Sequence, residues 1–168
     1  MVASRPMREF VCFAVHGLEL AAPIDHVRET IAVRPITRVF RTPPSVAGII
    51  SLRGEIIAVL DLGALLGMQA SARSDETRIV IVRHDGRDAG LLVDRLAQIR
   101  EIAEEDIASP PPTLSPRVAA VLEGIVSLPD HPVCILDVRR IFDAPELAPH
   151  TKRVPPQVAA HAAPETST

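Results

Sequence analysis

Aromatic side chains are almost missing from this sequence: its 168 residues hold four Phe and neither Trp nor Tyr, 2% in all. Proteins that grip single-stranded nucleic acid stack bases on aromatic rings, and duplex binders concentrate Lys and Arg to neutralise phosphates. Here 18 basic residues stand against 21 acidic ones, a net charge of −3, so neither footprint is present. Cysteine is scarce too. Cys12 and Cys134 sit inside apolar runs, too few for a metal site and read as reduced core thiols, because a buried Cys behaves as a small hydrophobe. No apolar stretch approaches the roughly 20 residues of a membrane span. The segment from Met1 to Glu9 lacks the apolar region of a secretory signal, and the expectation is a soluble, cytoplasmic protein. What the chain does have is 47% hydrophobic residues and 16 Pro, enough for one compact domain or two small ones sharing a core.

The apolar runs are short, β-branched and bounded by Gly, Pro or Asp-Gly steps, which favours strands over helices. Phe10 to Val15 ends at His16-Gly17, and Leu18 to Ala22 follows as its hairpin partner. Gly48 to Leu52 is separated from Ile56 to Leu62 by the turn Arg53-Gly54-Glu55. Arg78 to Val82 meets Asp85-Gly86, a strong hairpin signal, and Ala89 to Val93 returns. Val118 to Leu128 and Val133 to Val138 flank a Pro129-Asp130-His131-Pro132 corner, and the chain as a whole offers about ten strand candidates. Helix signals are confined to Asp25 to Thr30, Gly63 to Gly67 and Arg139 to Phe142, the last two following Asp61 and Asp137 in cap position. Close strands with so little helix indicate small barrels or a sandwich. Ser109 to Pro116 reads as an exposed loop, and Ala144 to Thr168 as a disordered tail.

An internal repeat is the most specific feature. Gly48 to Leu66 aligns without a gap to Gly124 to Phe142, at an offset of 76 residues, with six of 19 positions identical. Each copy reads as strand, tight turn, strand, Asp cap and short helix. Gly, Ser, Leu and Asp recur at matched positions, so each module needs them. The turn does not recur: Arg53-Gly54-Glu55 faces Pro129-Asp130-His131. A long charged side chain at a loop tip that the module does not demand makes Arg53 a candidate contact residue.

Catalytic constellations are lacking. Asp61 and Asp137 occupy the same cap position in their copies and read as structural. His26 and Glu29 stand three apart with no further ligand spaced to help. Ser51 and Ser127 lack a nucleophile elbow, and no Gly-rich phosphate loop is present. Arg34, Arg38 and Arg41 before the first copy, with Arg139-Arg140 in the second, are the one basis for a remote alternative, a small β-barrel nucleic-acid-binding protein; the negative net charge and scarce aromatics favour a solvated basic face instead.

The run Ile49 to Leu62 resembles the signature of CheW, the chemotaxis coupling family. The resemblance extends from about Phe10 to Phe142, taking in Val11 to Phe13, Val27-Arg28-Glu29, Pro43-Pro44, Val93-Asp94 and the second copy from Gly124 to Asp137. It implies an all-β fold of two intertwined five-stranded SH3-like β barrels with short helices and a groove between them. The CheW-like domain would cover residues 9–143, its barrels roughly 9–75 and 76–143 with strand exchange between them left open, and the disordered tail 144–168. It also implies a non-enzymatic adaptor without cofactor, coupling chemoreceptor cytoplasmic tips to the regulatory domain of the histidine kinase CheA at membrane-associated arrays, with other CheW-like proteins in rings as further partners. The alternative within that class is a paralogue in a chemosensory-type pathway controlling surface motility, development or gene expression. Carried over residue by residue, the resemblance places Val27, Glu29 and Arg53 on the receptor side, Gly48 and Gly124 on the kinase side through backbone shape, and Leu52, Arg53, Gly54 and Glu55 in the signature turn. Departures from the family pattern are Ser51 for its usual Asn, Ala58 for its Pro and Gly63 for its Arg, and they bear on partner identity and affinity. Two barrels leave no room for a kinase core or receiver domain, so the resemblance is to the stand-alone coupling protein and not to CheA or the fusion CheV.

Overall fold

In the computed structural model, which describes residues 4–145 and 147, the apolar runs form ten strands. β1 (Met7–Val15) and β2 (Leu18–Pro23) make a hairpin, and a 3-10 turn over Ile24–His26 leads into β3 (Val27–Ala32). β4 (Val46–Leu52), β5 (Glu55–Asp61) and α1 (Leu62–Leu65) are the first copy of the repeat. The hairpin of β6 (Arg78–His84) and β7 (Arg87–Val93) precedes β8 (Arg95–Ala103). After α2 (Pro116–Ala119), the second copy comprises β9 (Leu122–Ser127), β10 (Pro132–Leu136) and α3 (Val138–Asp143).

The strands build two five-stranded sheets in the orders β8-β1-β2-β10-β9 and β3-β6-β7-β5-β4. The orders match position for position when each half of the chain lends its first hairpin to the other half. β1 and β2 pair with β8 and β10, while β6 and β7 pair with β3 and β5. The exchange explains why β2 with β10 and β5 with β7 are parallel pairs in otherwise antiparallel sheets. Each sheet closes on itself through one extra bridge, Thr37 with Ile49 and Ala108 with Ile125.

Burial accounts for the unalternated apolar runs. Phe10, Cys12 and Ala21 fill one barrel with Val133 and Ile135, and Ile57, Val59, Ile79, Ile81 and Leu92 fill the other. The opposite faces of the same strands, with Phe13, Leu20, Val80, Leu91, Leu60 and Phe142, form a third cluster shared by the two. Strands buried on both faces need hydrophobic residues at every position.

Several expectations are corrected. Of Asp25 to Thr30 only Asp25 and His26 are helical, in the 3-10 turn; from Val27 onward the chain is strand, with half-buried Val27, Glu29 and Ile31 alternating with exposed Arg28, Thr30 and Ala32. Val118 to Leu128 is not strand throughout, because Ser115 accepts from the Val118 amide at 3.3 Å with Pro116 in the first helical position, and the strand starts only at Leu122. β8 lay outside the runs read as strands, since its first five residues are exposed. Of the disordered tail expected from Ala144, residues 144, 145 and 147 are described. Leu147 is fully buried in the shared core, and the remainder of that expectation lies outside the described residues. The Asp caps stand as read: Asp61 Oδ1 accepts from Ala64 N at 3.0 Å and Asp137 Oδ1 from Arg140 N at 3.2 Å.

One half-buried carboxylate ties the second barrel together. Glu19 on β2 accepts from Arg100 Nε of β8 at 2.6 Å and is bonded to His131 Nε2 of the β9–β10 turn at 2.7 Å. The Arg100 guanidinium holds the Glu19 carboxyl down at about 2, while burial pushes the neighbouring Cys12 thiol up to about 12. With a folded value below its ordinary 4.5, Glu19 stabilises the fold at neutral pH, and that contribution is lost as pH falls from about 4.5 towards about 2. Urea titrations followed by circular dichroism are therefore expected to show a steeper acid loss of stability for the wild type than for Glu19→Gln. Phe13→Ala, in the shared core, is expected to cost about 3–5 kcal/mol. Its urea transition should remain single, and two separated transitions would contradict the shared core.

Candidate functional site

The β4–β5 turn is a two-residue hairpin, since Leu52 pairs directly with Glu55 and only Arg53 and Gly54 lie outside the ladder. Both central residues have positive φ, 51° at Arg53 and 83° at Gly54, the geometry whose twist matches a hairpin. Glu55 thus belongs to β5 and not to the turn. Gly tolerates this backbone freely; an L-residue with a Cβ pays on the order of 1–2 kcal/mol for it. Gly, Asn or Asp would fit position 53 better than Arg, and what Arg adds there is the reach of its guanidinium.

It reaches β3. Arg53 Nη2 donates to Glu29 Oε1 at 2.9 Å, and Nη1 donates to Oε2, a bidentate pair between residues 24 apart in sequence. The hydrogen bonds from Arg53 lower the Glu29 carboxyl, which stays ionised. Arg53 is 62% exposed and Glu29 23%, so the pair orients both groups without adding much stability. Beside it, Arg28 of β3 and Arg83 of β6 converge on Asp88 of β7, with Arg83 Nε at 2.7 Å. Burial pushes the Asp88 carboxyl up, but bonds from Arg83 and Arg28 outweigh it and leave the group below its usual range. Val27 opens the same strand, half-buried against the shared core and paired with Val82. Three of the sequence-level candidates, Val27, Glu29 and Arg53, therefore share one region.

β3 and β8 begin the two sheet orders and flank a cleft of about 340 Å³. Glu29 and Thr30 form one wall; Leu96 to Ile99 form the other, with Val11 at the base. Ile99 is 60% exposed and Leu96 36%, giving the cleft an apolar wall on a strand with one free edge. Sequence reasoning missed these residues because the polar positions of β8 hide any alternation.

Gly48 and Gly124 sit elsewhere. A Cβ at Gly48, where φ is +146°, would lie 2.2 Å from the Thr37 carbonyl, and one at Gly124 2.5 Å from the Ala108 carbonyl. Each glycine follows a bulge in its strand and makes room for the bridge that closes its barrel. The signal was their recurrence in the repeat. Of the arginines read as a basic face, Arg139 and Arg140 lie 3.9 Å and 3.3 Å from Asp137, and Arg34 donates to the Ser51 carbonyl at 2.8 Å. Among the described residues no group of His, Cys, Asp and Glu is placed to hold a metal ion, and no helix is long and apolar enough to cross a membrane.

Comparison with known proteins gives a consistent match. The family model described as the CheW-like domain matches residues 9–146. The chemotaxis protein CheW of Helicobacter pylori is 34% identical over 134 residues, covering 80% of this chain and 81% of the relative. Protein FrzA of Myxococcus xanthus is 33% identical over 123 residues, covering 73% and 76%. Among solved structures, the scaffolding protein TtCheW from Thermoanaerobacter tengcongensis superposes with a TM-score of 0.75 at 32% identity, over 84% of this chain and 96% of that one.

Arg53→Gly removes the guanidinium and relieves the left-handed backbone, so thermal unfolding is expected to show a midpoint equal to or above the wild type. Gly48→Ala is expected to destabilise by more than about 2 kcal/mol in the same measurement, because the contacting atom is backbone and cannot rotate away.

Proposed function

The chain belongs to the CheW-like domain family, a family of scaffolding adaptors and not of enzymes, and on that premise we propose that it couples chemoreceptors to the histidine kinase CheA in a signalling array. The observation that supports this most directly is the cleft between the outer strands β3 and β8, rimmed by the Glu29–Arg53 pair. A receptor helix would lay its apolar stripe against Leu96, Ile99 and Val11, the helix-in-groove mode of recognition. Arg53 and Glu29 would set its orientation, since charges at a rim govern register and encounter more than affinity. Val27 would act from beneath, holding β3 against the core. Gly48 and Gly124 would serve the kinase contact through backbone shape, and the signature turn from Leu52 to Glu55 would carry Arg53 to the rim. Holding both partners at fixed geometry raises the effective concentration of each for the other, which is all the mechanism an adaptor needs. Its place would be the cytoplasmic face of membrane-associated receptor arrays, with other CheW-like proteins as neighbours.

The likeness to Protein FrzA supports a second reading, a paralogue serving a chemosensory-type pathway with a different output. The two differ in which kinase and receptors respond and not in the mechanism.

In an array reconstituted from receptor, kinase and this chain, Arg53→Gly is expected to leave the protein folded while kinase activity stops following receptor state. Unchanged receptor control in that variant would remove Arg53 from the coupling surface.

A further inference from the structure

The four phenylalanines divide three to one. Phe10, Phe13 and Phe142 are buried, whereas Phe40 is 95% exposed, more than any other large hydrophobic side chain among the described residues. In sequence it lies between Arg38 and Arg41, in segment 33–45, which joins β3 to β4 and carries three Arg and no acidic residue. This segment is firmly held. Thr37 and Ile49 exchange backbone bonds of 2.9 Å and 2.8 Å, Thr42 Oγ1 donates to the Val39 carbonyl at 2.9 Å, and the Val46 amide donates to the Pro43 carbonyl at 2.9 Å. Arg41, next to the ring, has φ of 61°, a left-handed backbone that a residue with a Cβ adopts only under structural constraint. An aromatic ring flanked by arginines on a preorganised loop has the composition of an interface anchor.

We infer that Phe40 is the anchor by which this chain engages the regulatory domain of the kinase, its ring entering an apolar cleft there while Arg38 and Arg41 meet carboxylates at the cleft rim. The inference rests on the adaptor reading above and names a residue for its kinase side. Segment 33–45 contributes nothing to the β3–β8 cleft, so both surfaces can be occupied at once, as bridging requires. Its unbalanced positive charge selects an acidic rim. Gly48 connects to the same segment: a Cβ there would also lie 2.7 Å from Ile36 Cγ2 and would force Ile36 and Thr37 outward, carrying Phe40 with them. Gly48 is thus a positioning residue for Phe40, which gives a physical route for a buried glycine to affect kinase binding. A lipid surface is the weaker occupant, because one ring and two arginines fall short of the two strong signals that stable membrane attachment takes.

The test is calorimetric titration of the whole chain against the purified regulatory domain of the cognate kinase and, separately, against a receptor cytoplasmic fragment. Phe40→Ala is expected to weaken kinase-domain binding at least about tenfold, to leave receptor-fragment binding within about twofold, and to leave the unfolding midpoint unchanged. Phe40→Leu should recover part of the loss, and Arg38→Glu with Arg41→Glu should reduce binding most at low salt. Kinase-domain binding within about twofold of wild type in Phe40→Ala, or equal loss towards both partners, overturns the inference. So does Phe40-dependent sedimentation with phosphatidylserine vesicles alongside unaltered kinase binding. If the wild type binds neither partner, the adaptor reading itself fails.

Discussion

Everything in this molecule depends on the exchange of hairpins between its two sheets. Because β1 and β2 belong to the sheet of the second repeat copy and β6 and β7 to that of the first, neither barrel can form from one continuous half of the chain. The exchanged strands carry side chains on both faces, one into their own barrel and one into the shared cluster around Phe13, Leu91 and Phe142. A small domain buries too little surface to be stable alone, and the shared cluster offsets that deficit for both barrels at once. It also anchors β6 and β1, the strands on which the outer strands β3 and β8 pair, so the cleft between them is built on the core.

Charge is used at matched places. Glu19 on β2 and Asp88 on β7 stand two residues beyond equivalent hairpin turns; Glu19 is satisfied by Arg100 of β8 and His131 of the β9–β10 turn, and Asp88 by Arg83 of β6 and Arg28 of β3. Neither has a feature that chemistry would exploit, since both carboxyls lie below their usual range and stay ionised. The pair that differs is Glu29 with Arg53, exposed at a cleft and built on a backbone that disfavours Arg. The two halves share a plan for stability, and the recognition surfaces proposed above lie where they diverge: the signature turn, the wall of β8 and the segment bearing Phe40.

Much of the fold was legible because its determinants are local. The caps at Asp61 and Asp137, the hairpins at His16-Gly17 and Asp85-Gly86, and the glycines at 48 and 124 follow from short-range hydrogen bonds and sterics that recur in a repeat. Errors fell where a local pattern was overruled. The residues from Val27 to Ala32 gain strand bonds only from β6, some fifty residues on, and β8 gains its place from β1 despite an exposed face. Leu147 is apolar in a Pro-rich stretch, and no local pattern marks it for the shared core in which it is buried.

Taken alone, the sequence determined the two related modules, most of their strands, their caps and the family resemblance, because these rest on composition and on spacings of a few residues. Tertiary structure alone decided which hairpin serves which barrel, that Glu29 meets Arg53, that β3 and β8 frame a cleft, and that Phe40 is left outside. Those outcomes depend on how apolar surface is buried over the whole chain, and a strand's choice of partner has no signature in its own residues.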